Sequence, residues 1–229
     1  MRKTFLIAIV LFFGILFANP FEPLNVDFLK YAQKQNHTPP TSPLPQQAKK
    51  GDLPAYEDII KNFDEVIEGL FPIYWDKEKN KFLMSIHPNQ LEEVYLANLT
   101  RTSGEGMYYD SSSMLWEFPF IFRKLSNTIQ LIHINTDFRA DKTSAIHKSI
   151  KNNLSHSIFS TAKIISSPNQ ETGSILIDAN EMFVRDISYV SQHRKGQYRF
   201  DKKNSYASDL QSYPQNTEIE ITAHFISPK

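Results

Sequence analysis

Hydrophobic positions alternate with others on both sides of a charged centre between Gly69 and Ile86. Phe71, Ile73 and Trp75 fall on one side of an extended run, and Phe82, Met84 and Ile86 on one side of the next. Every residue from Asp76 to Lys81 is charged or carries an amide, so this stretch can turn in water. Period two on both flanks with a polar loop between them predicts a β-hairpin. A hairpin is not stable alone and needs further strands or a helix over its apolar face. Upstream, Tyr56, Ile59, Ile60, Phe63 and Ile67 have helical spacing, and Pro54 suits a first turn. This helix is expected to cover part of the hairpin.

The rest of the chain continues in strands. Pro88 to Glu93 predicts a helical turn and Val94 to Leu99 a strand. Met114 to Leu125 and Ile129 to Ile134 form a second hairpin about Ser126-Asn127. Pro119 cannot donate to a ladder, so Met114 to Leu125 is expected at an edge or bulge. Thr143 or Ser144 caps a helix running to about Leu154. Ser157 to Ile165 is a strand that turns over Ser166 to Gly173 and returns at Ser174 to Asp178. Asn180 to Tyr189 reads as helical, Gly196 to Phe200 as a short extended piece, and Tyr213 to Asn216 as a turn. In the last strand, Ile219, Ile221, Ala223 and Phe225 share one side. The expected fold class is mainly β (α+β), with antiparallel hairpins forming a sandwich-like or twisted-sheet core and two or three short helices.

The N-terminal segment has a different texture. Arg2 and Lys3 precede an apolar run from Phe5 to Phe17, broken only by Gly14, and Ala18 can precede a cleavage site. The run is shorter than the roughly 20 residues a helical membrane span needs. Residues 1–18 therefore read as a signal peptide, with an uncleaved anchor as the alternative. Residues 19–52 are a Pro-rich arm, with Pro39, Pro40, Pro43 and Pro45 favouring an extended chain. Residues 53–229 form a single β-rich domain. The chain is expected to be exported, periplasmic or secreted in a bacterium, with no membrane span after signal cleavage.

Composition narrows the chemistry. Basic and acidic residues balance at 25 each, and losing Arg2 and Lys3 with a leader leaves 23 against 25. Without a basic run beyond pairs, no nucleic-acid partner is expected. The 17 Phe and 10 Tyr supply a large core. Cysteine is absent, which excludes disulfides, a thiol nucleophile, a thiolate metal site and a lipoprotein cysteine.

Catalytic patterns are weak or missing. None of the seven histidines forms H-E-x-x-H, the helical pair that sets two imidazoles on zinc. His147 and His156 straddle a helix end and lack a third ligand. Ser160-Thr161-Ala162-Lys163 matches S-x-x-K, but a serine–lysine pair of that kind needs a helix and this segment alternates like a strand. Asp178, Asp186, Glu92 and Glu93 are the candidate carboxylates, Asp178 reading as a cap before Asn180. Tyr74, Trp75, Tyr108, Tyr109 and Trp116 are candidates for a stacking surface, with core use expected for most. No catalytic, cofactor-binding or metal-binding residue is assigned.

Three stretches carry a family resemblance. They are Gly69-Leu70-Phe71-Pro72-Ile73-Tyr74 with Phe82-Leu83-Met84-Ser85-Ile86; Ser157-Ile158 with Ile175-Leu176-Ile177-Asp178-Ala179 and Met182-Phe183-Val184-Arg185-Asp186; and Gly196-Gln197-Tyr198-Arg199-Phe200-Asp201 with Pro214-Gln215-Asn216-Thr217-Glu218-Ile219-Glu220. Together they resemble the uncharacterised module N-terminal to the catalytic domain of exported bacterial zinc-dependent metalloproteases, over roughly residues 53–226. That family's chemistry resides in a later domain with a zincin helix, and its catalytic residues carry over to no position here. The resemblance implies a non-catalytic accessory domain that docks a protease catalytic domain or a peptide, with Met114 to Leu125 a candidate edge. The alternatives are an envelope carbohydrate- or peptidoglycan-binding module, and a hydrolase with an unrecognised site.

Overall fold

The structure, a computed structural model, describes residues 53–104, 113–194 and 196–227, and residues 4–15 through their backbone pairing. The arm at 19–52, Tyr108 and Tyr109 lie outside the described residues.

The expected hairpin is at the centre of a small sheet. Strands β3 (Ile73–Asp76) and β4 (Lys81–Ile86) pair antiparallel, with Ile73 opposite Met84 and Asp76 opposite Lys81. Their turn closes because the Asp76 carboxylate accepts from the Lys79 backbone N–H at 2.9 Å and its ammonium at 2.6 Å. Asn80 takes the left-handed conformation (φ 50°), which asparagine tolerates. Strand β2 (Glu65–Ile67) flanks β3, and β9 (Ile175–Asp178) flanks β4. The inner face contributes Phe71, Ile73, Trp75, Phe82, Met84 and Ile86 to the main core.

The opposite face is also covered. Helix α1 (Tyr56–Ile60) lays Tyr56, Ile59 and Ile60 over Tyr74, Leu83 and Leu176. The Tyr56 hydroxyl donates to Ser85 Oγ at 2.8 Å and lies 3.0 Å from the Tyr74 hydroxyl. The helix is shorter than its apolar spacing predicts. Asn62 turns its side-chain amide onto the carbonyls of Asp58 and Ile59, and the chain re-extends so that Ile67 belongs to β2.

The large sheet has eight strands, and all its ladders are antiparallel. Its order runs β10 (Arg199–Phe200), β12 (Asn216–Ile226), β1 (Thr4–Ile15), β5 (Tyr95–Arg101), β6 (Ser113–Leu125), β7 (Thr128–His133) and β8 (Ser157–Lys163), with β11 (Tyr206–Tyr213) also paired to β12. Strand β12 alternates as expected, burying Thr217, Ile219, Ile221, Ala223 and Phe225. Phe118, Phe120 and Phe122 of β6 face the small sheet. Phe71 meets Phe122 edge-on at 5.3 Å and Tyr95 at 5.2 Å, which locks the two layers together. The result is mainly β, as expected, with four short helices among the described residues.

Two pairings differ from expectation. Strand β6 is internal, bonded to β5 on one side and β7 on the other, so it is not an edge. Its bulge falls at Leu115, where Trp116 faces Leu99 and Met114 faces Thr100. Pro119 is accommodated because it sits where β7 ends, its carbonyl accepting from Ile134 N–H at 2.9 Å. Strand β9 pairs with β4, and its antiparallel contact with the chain after β8 is short, an Ile164–Ile177 bridge and a bond from Ile165 N–H to Leu176 O at 2.9 Å, so the chain crosses between layers there instead of forming a full hairpin.

Helix α2 (Ala145–Asn153) is capped by Ser144, as predicted, its Oγ accepting from His147 N–H. The helix expected over 180–189 is shorter: α3 (Ala179–Phe183) ends at Phe183, and a separate helix, α4 (Val190–His193), starts beyond it. The two layers are also joined at Gly69. Leu70 N–H donates to Tyr213 O at 2.7 Å, and a Cβ on Gly69 would lie 2.5 Å from the Ser212 carbonyl carbon.

Candidate docking site

The polar side chains singled out by sequence are mostly bound into the fold. Asp178 caps α3, accepting from Glu181 N–H. The Asp186 carboxylate accepts from Val190 N–H at 3.0 Å and Ser191 N–H at 2.8 Å, and so caps α4. Glu92 takes a bidentate pair of bonds from Arg123 at 3.0 and 3.2 Å. Ser160 is buried on strand β8, while Lys163 is exposed and within 3.7 Å of Glu181. A strand puts positions three apart on opposite faces, so these two do not converge.

The histidines do not converge on a metal site. His147 is in the first turn of α2, and His156 Nδ1 accepts from Asn135 N–H at 3.0 Å. Among the described residues no three His, Asp or Glu groups are close enough to hold a metal ion. Tyr74 and Trp75 are core residues. Trp116 is 37% exposed and lies tilted against Phe118 at 4.7 Å and edge-on to His133 at 5.0 Å. Burial holds both His133 and His156 below the usual imidazole range, and the Arg123 charge adds to the effect on His156.

One shallow groove collects charge. Arg185, Asp186, Tyr189, Ser191, Arg199 and Lys202 line it, with a volume of about 460 Å³. Asp186 is consumed by α4, and Arg185 donates to Phe159 O at 2.9 Å. That second bond does a specific job on β8, the outer strand of the sheet. Arg185 takes up the free carbonyl at 159, and Glu181 accepts the free N–H of Lys163 at 3.1 Å. Side chains from α3 and the turn after it thus block the β8 edge against a further strand.

The other place where backbone groups are concentrated lies inside the large sheet. Strand β1 pairs along its length with β12, from Thr4 opposite Ile226 to Gly14 opposite Asn216. On its other side it pairs with β5, from Ile9 opposite Arg101 to Ile15 opposite Tyr95. Its odd positions are in register with buried residues such as Ile219, Ile221, Ala97 and Leu99. Its even positions are in register with a polar row: Asn98 and Thr100 on β5, and Glu218, Glu220, Thr222 and His224 on β12. Segment 4–15 is apolar at nearly every position, even and odd alike. Its sequence matches only one face of the seam it fills.

Sequence reading passes over this seam. The signal is present in the even positions of the last strand, where Glu218 and Glu220 stand beside Ile219 and Ile221. Asn98 adds a detail that only the structure supplies. Its Oδ1 is buried with no hydrogen-bond partner, at the position where β5 faces residue 12. No helix among the described residues is long and apolar enough to cross a membrane.

The profile of one protein family, described as a domain of unknown function (DUF5117), matches residues 113–229, slightly more than half the chain. The matched part runs from the start of β6 through β12 and contains neither β5 nor the β3–β4 hairpin. No curated protein and no solved structure matches the chain.

Proposed function

Because the chain belongs to the DUF5117 family of domains of unknown function, we propose that it is an exported, non-catalytic accessory domain of the metalloprotease-associated kind, acting by docking a protein or peptide. The observation that supports this most is the seam. Two backbone ladders, on β5 and β12, converge on residues 4–15, within the segment that reads as a cleavable leader. A module of this kind binds through main-chain pairing and pockets for alternate side chains. In the charged groove, Arg185 and Asp186 are committed to edge blocking and to a helix cap.

Expression of the whole gene in an exporting bacterial host tests the proposal. The tagged protein is recovered from the envelope fraction and offered a solubilised envelope extract of the native cell. Retention of a zinc metalloprotease catalytic domain is the expected result, together with no chelator-sensitive peptide cleavage by the chain alone. Chelator-sensitive cleavage by the chain itself overturns the reading. Quenching of Trp116 fluorescence by peptidoglycan fragments, with no protease retained, would instead mark a carbohydrate-binding module.

A further inference from the structure

We propose that the seam between β5 and β12 is a strand-acceptor site whose mature occupant is an extended segment of a partner protein, apolar at alternate positions and carrying lysine or arginine opposite Glu218 and Glu220. The inference rests on the export reading above and adds to it the place and chemistry of the docked segment.

Removal of segment 4–15 opens the sheet in its middle. Strands β5 and β12 both run antiparallel to β1, so they run parallel to each other. With β1 gone they stand about 9.5 Å apart, two strand spacings, too far to bond directly. The far edges are already taken, β5 by β6 and β12 by β10 and β11. The groups left unpaired are therefore two facing rows, from Tyr95 to Arg101 and from Asn216 to Ile226. Unpaired backbone groups inside a sheet are costly and act as a template for a new strand.

The flanking residues specify the occupant. Toward the core it meets Ala97, Leu99, Ile219, Ile221 and Ala223, all buried, which calls for apolar residues at alternate positions. On the other face it meets the polar row. The residue at position 12 lies between Asn98 and Glu218, and the residue at position 10 between Thr100 and Glu220. The leader places Phe12 and Val10 there, which can neither donate to the unpartnered Asn98 Oδ1 nor balance two carboxylates. Asn216 Nδ2 donates to Glu218 Oε1 at 3.1 Å, and no ion pair reaches Glu218 or Glu220 among the described residues. A lysine at position 12 supplies a donor for Asn98 and a charge for Glu218, and opposite charges on facing strands stabilise a sheet.

The test uses the mature protein exported from the whole gene, its N-terminus fixed by intact mass. The probe is a fluorescein-labelled peptide with the sequence of Thr4–Ile15, in which lysine replaces Val10 and Phe12 and threonine replaces Leu6 and Ala8. The control carries glutamate at positions 10 and 12. The lysine peptide is expected to bind at least tenfold tighter than the control, and E218K/E220K is expected to reverse the preference. Peptide binding should also slow amide exchange over 95–101 and 216–226. If the mature chain is insoluble alone, recovery of a soluble monomer in the presence of the lysine peptide supports the inference equally.

Equal binding of both peptides overturns it. So does slow exchange of β5 and β12 without peptide, which means the seam closes on itself, or a mature dimer that exchanges strands between copies. A mature chain that still carries residues 4–15 overturns both this inference and the export reading. Failure of peptide binding alone, with a protease retained from the envelope extract, overturns the seam as the docking place and leaves the accessory reading standing.

Discussion

Strands β3 and β4 and the segment Thr4–Ile15 have the same texture in the sequence, runs of apolar residues with little polar interruption. In the fold they are opposites. Each strand of the hairpin is covered twice, by the large sheet on one face and by α1 on the other. Ile73 to Asp76 and Phe82 to Ile86 are all buried, Phe82, Leu83, Met84 and Ile86 completely. Segment 4–15 is matched once. Its odd positions are in register with the core-facing residues of β5 and β12, and its even positions with Asn98, Thr100, Glu218 and Glu220. Continuous apolarity means burial on both faces where a second layer exists. Where the neighbouring strands alternate, it means a segment whose composition answers another demand, which under the proposal above is export.

The largest expected contrast breaks that comparison directly. Phe82→Ala empties a site enclosed by both layers, where Phe82 stacks with Phe183 at 6.5 Å. A loss of about 3–5 kcal/mol is expected. Phe12→Ala in the full chain lies in the polar register and is expected to stay within about 0.5 kcal/mol. Urea unfolding of the two variants beside the parent measures both. An equal cost at the two positions would mean that 4–15 is as much a part of the core as the hairpin.

The next effect concerns how the layers are joined. Gly69→Ala places a methyl group 2.4 Å from Ser212 Oγ and 2.6 Å from Tyr213 N. Ser212 cannot retreat freely, since its hydroxyl donates to Phe71 O at 3.1 Å and lies 2.8 Å from Thr217 Oγ1. Overpacking here is expected to cost about 1–3 kcal/mol. The Leu70 amide, which donates to Tyr213 O, should then exchange faster with solvent.

This joint also shows what can be read from the chain and what cannot. The β3–β4 hairpin, the β6–β7 hairpin, the Ser144 cap and the alternation of β12 all follow from local spacing, and local spacing is what the sequence displays. Strand β11 escapes such a reading because Ala207, Leu210 and Ser212 are small or widely spaced and a bulge at Ser208 breaks their period. The placement of β6 is misjudged when proline is weighed as an edge signal, because its lost donor falls beyond the end of β7. The crossover of β9 to β4 depends on contacts between distant residues, which no window of sequence contains. The seam is half legible. Glu218 and Glu220 are visible as a polar face, but their opposition to Asn98 and Thr100 across a third strand is not.

A smaller effect tests the outer cover of the hairpin. Tyr56→Phe removes the hydroxyl that bonds Ser85 Oγ and meets Tyr74. Ser85 is 3% exposed, so its oxygen is left without that donor in a dry site. The expected cost is about 1–2 kcal/mol. Tyr74→Phe alone should cost less, and the double variant should fall short of the sum because the two hydroxyls share one network. A strictly additive cycle would mean that α1 covers the hairpin by apolar contact alone.

The smallest expected effect is one of pH, and it separates the well-covered end of the large sheet from its seam. His133 lies among Trp116 and Phe118, and His156 accepts from Asn135 N–H through Nδ1. Burial lowers both, with Asp137 opposing the shift at His133 and Arg123 and His133 adding to it at His156. The folded protein therefore holds these rings neutral at pH values where the unfolded chain, near 6.5, binds protons. Their stabilisation is complete above that value and is lost as pH falls below it toward the lowered folded values. The urea midpoint should fall between pH 7 and pH 5. His156→Asn keeps an acceptor for the Asn135 N–H but cannot take up a proton, so it should fold at pH 7 and show a smaller fall. Glu218→Gln, on the seam, should leave the fall between pH 7 and pH 5 as it is in the parent. An undiminished fall in His156→Asn would move the cause of acid sensitivity away from this imidazole.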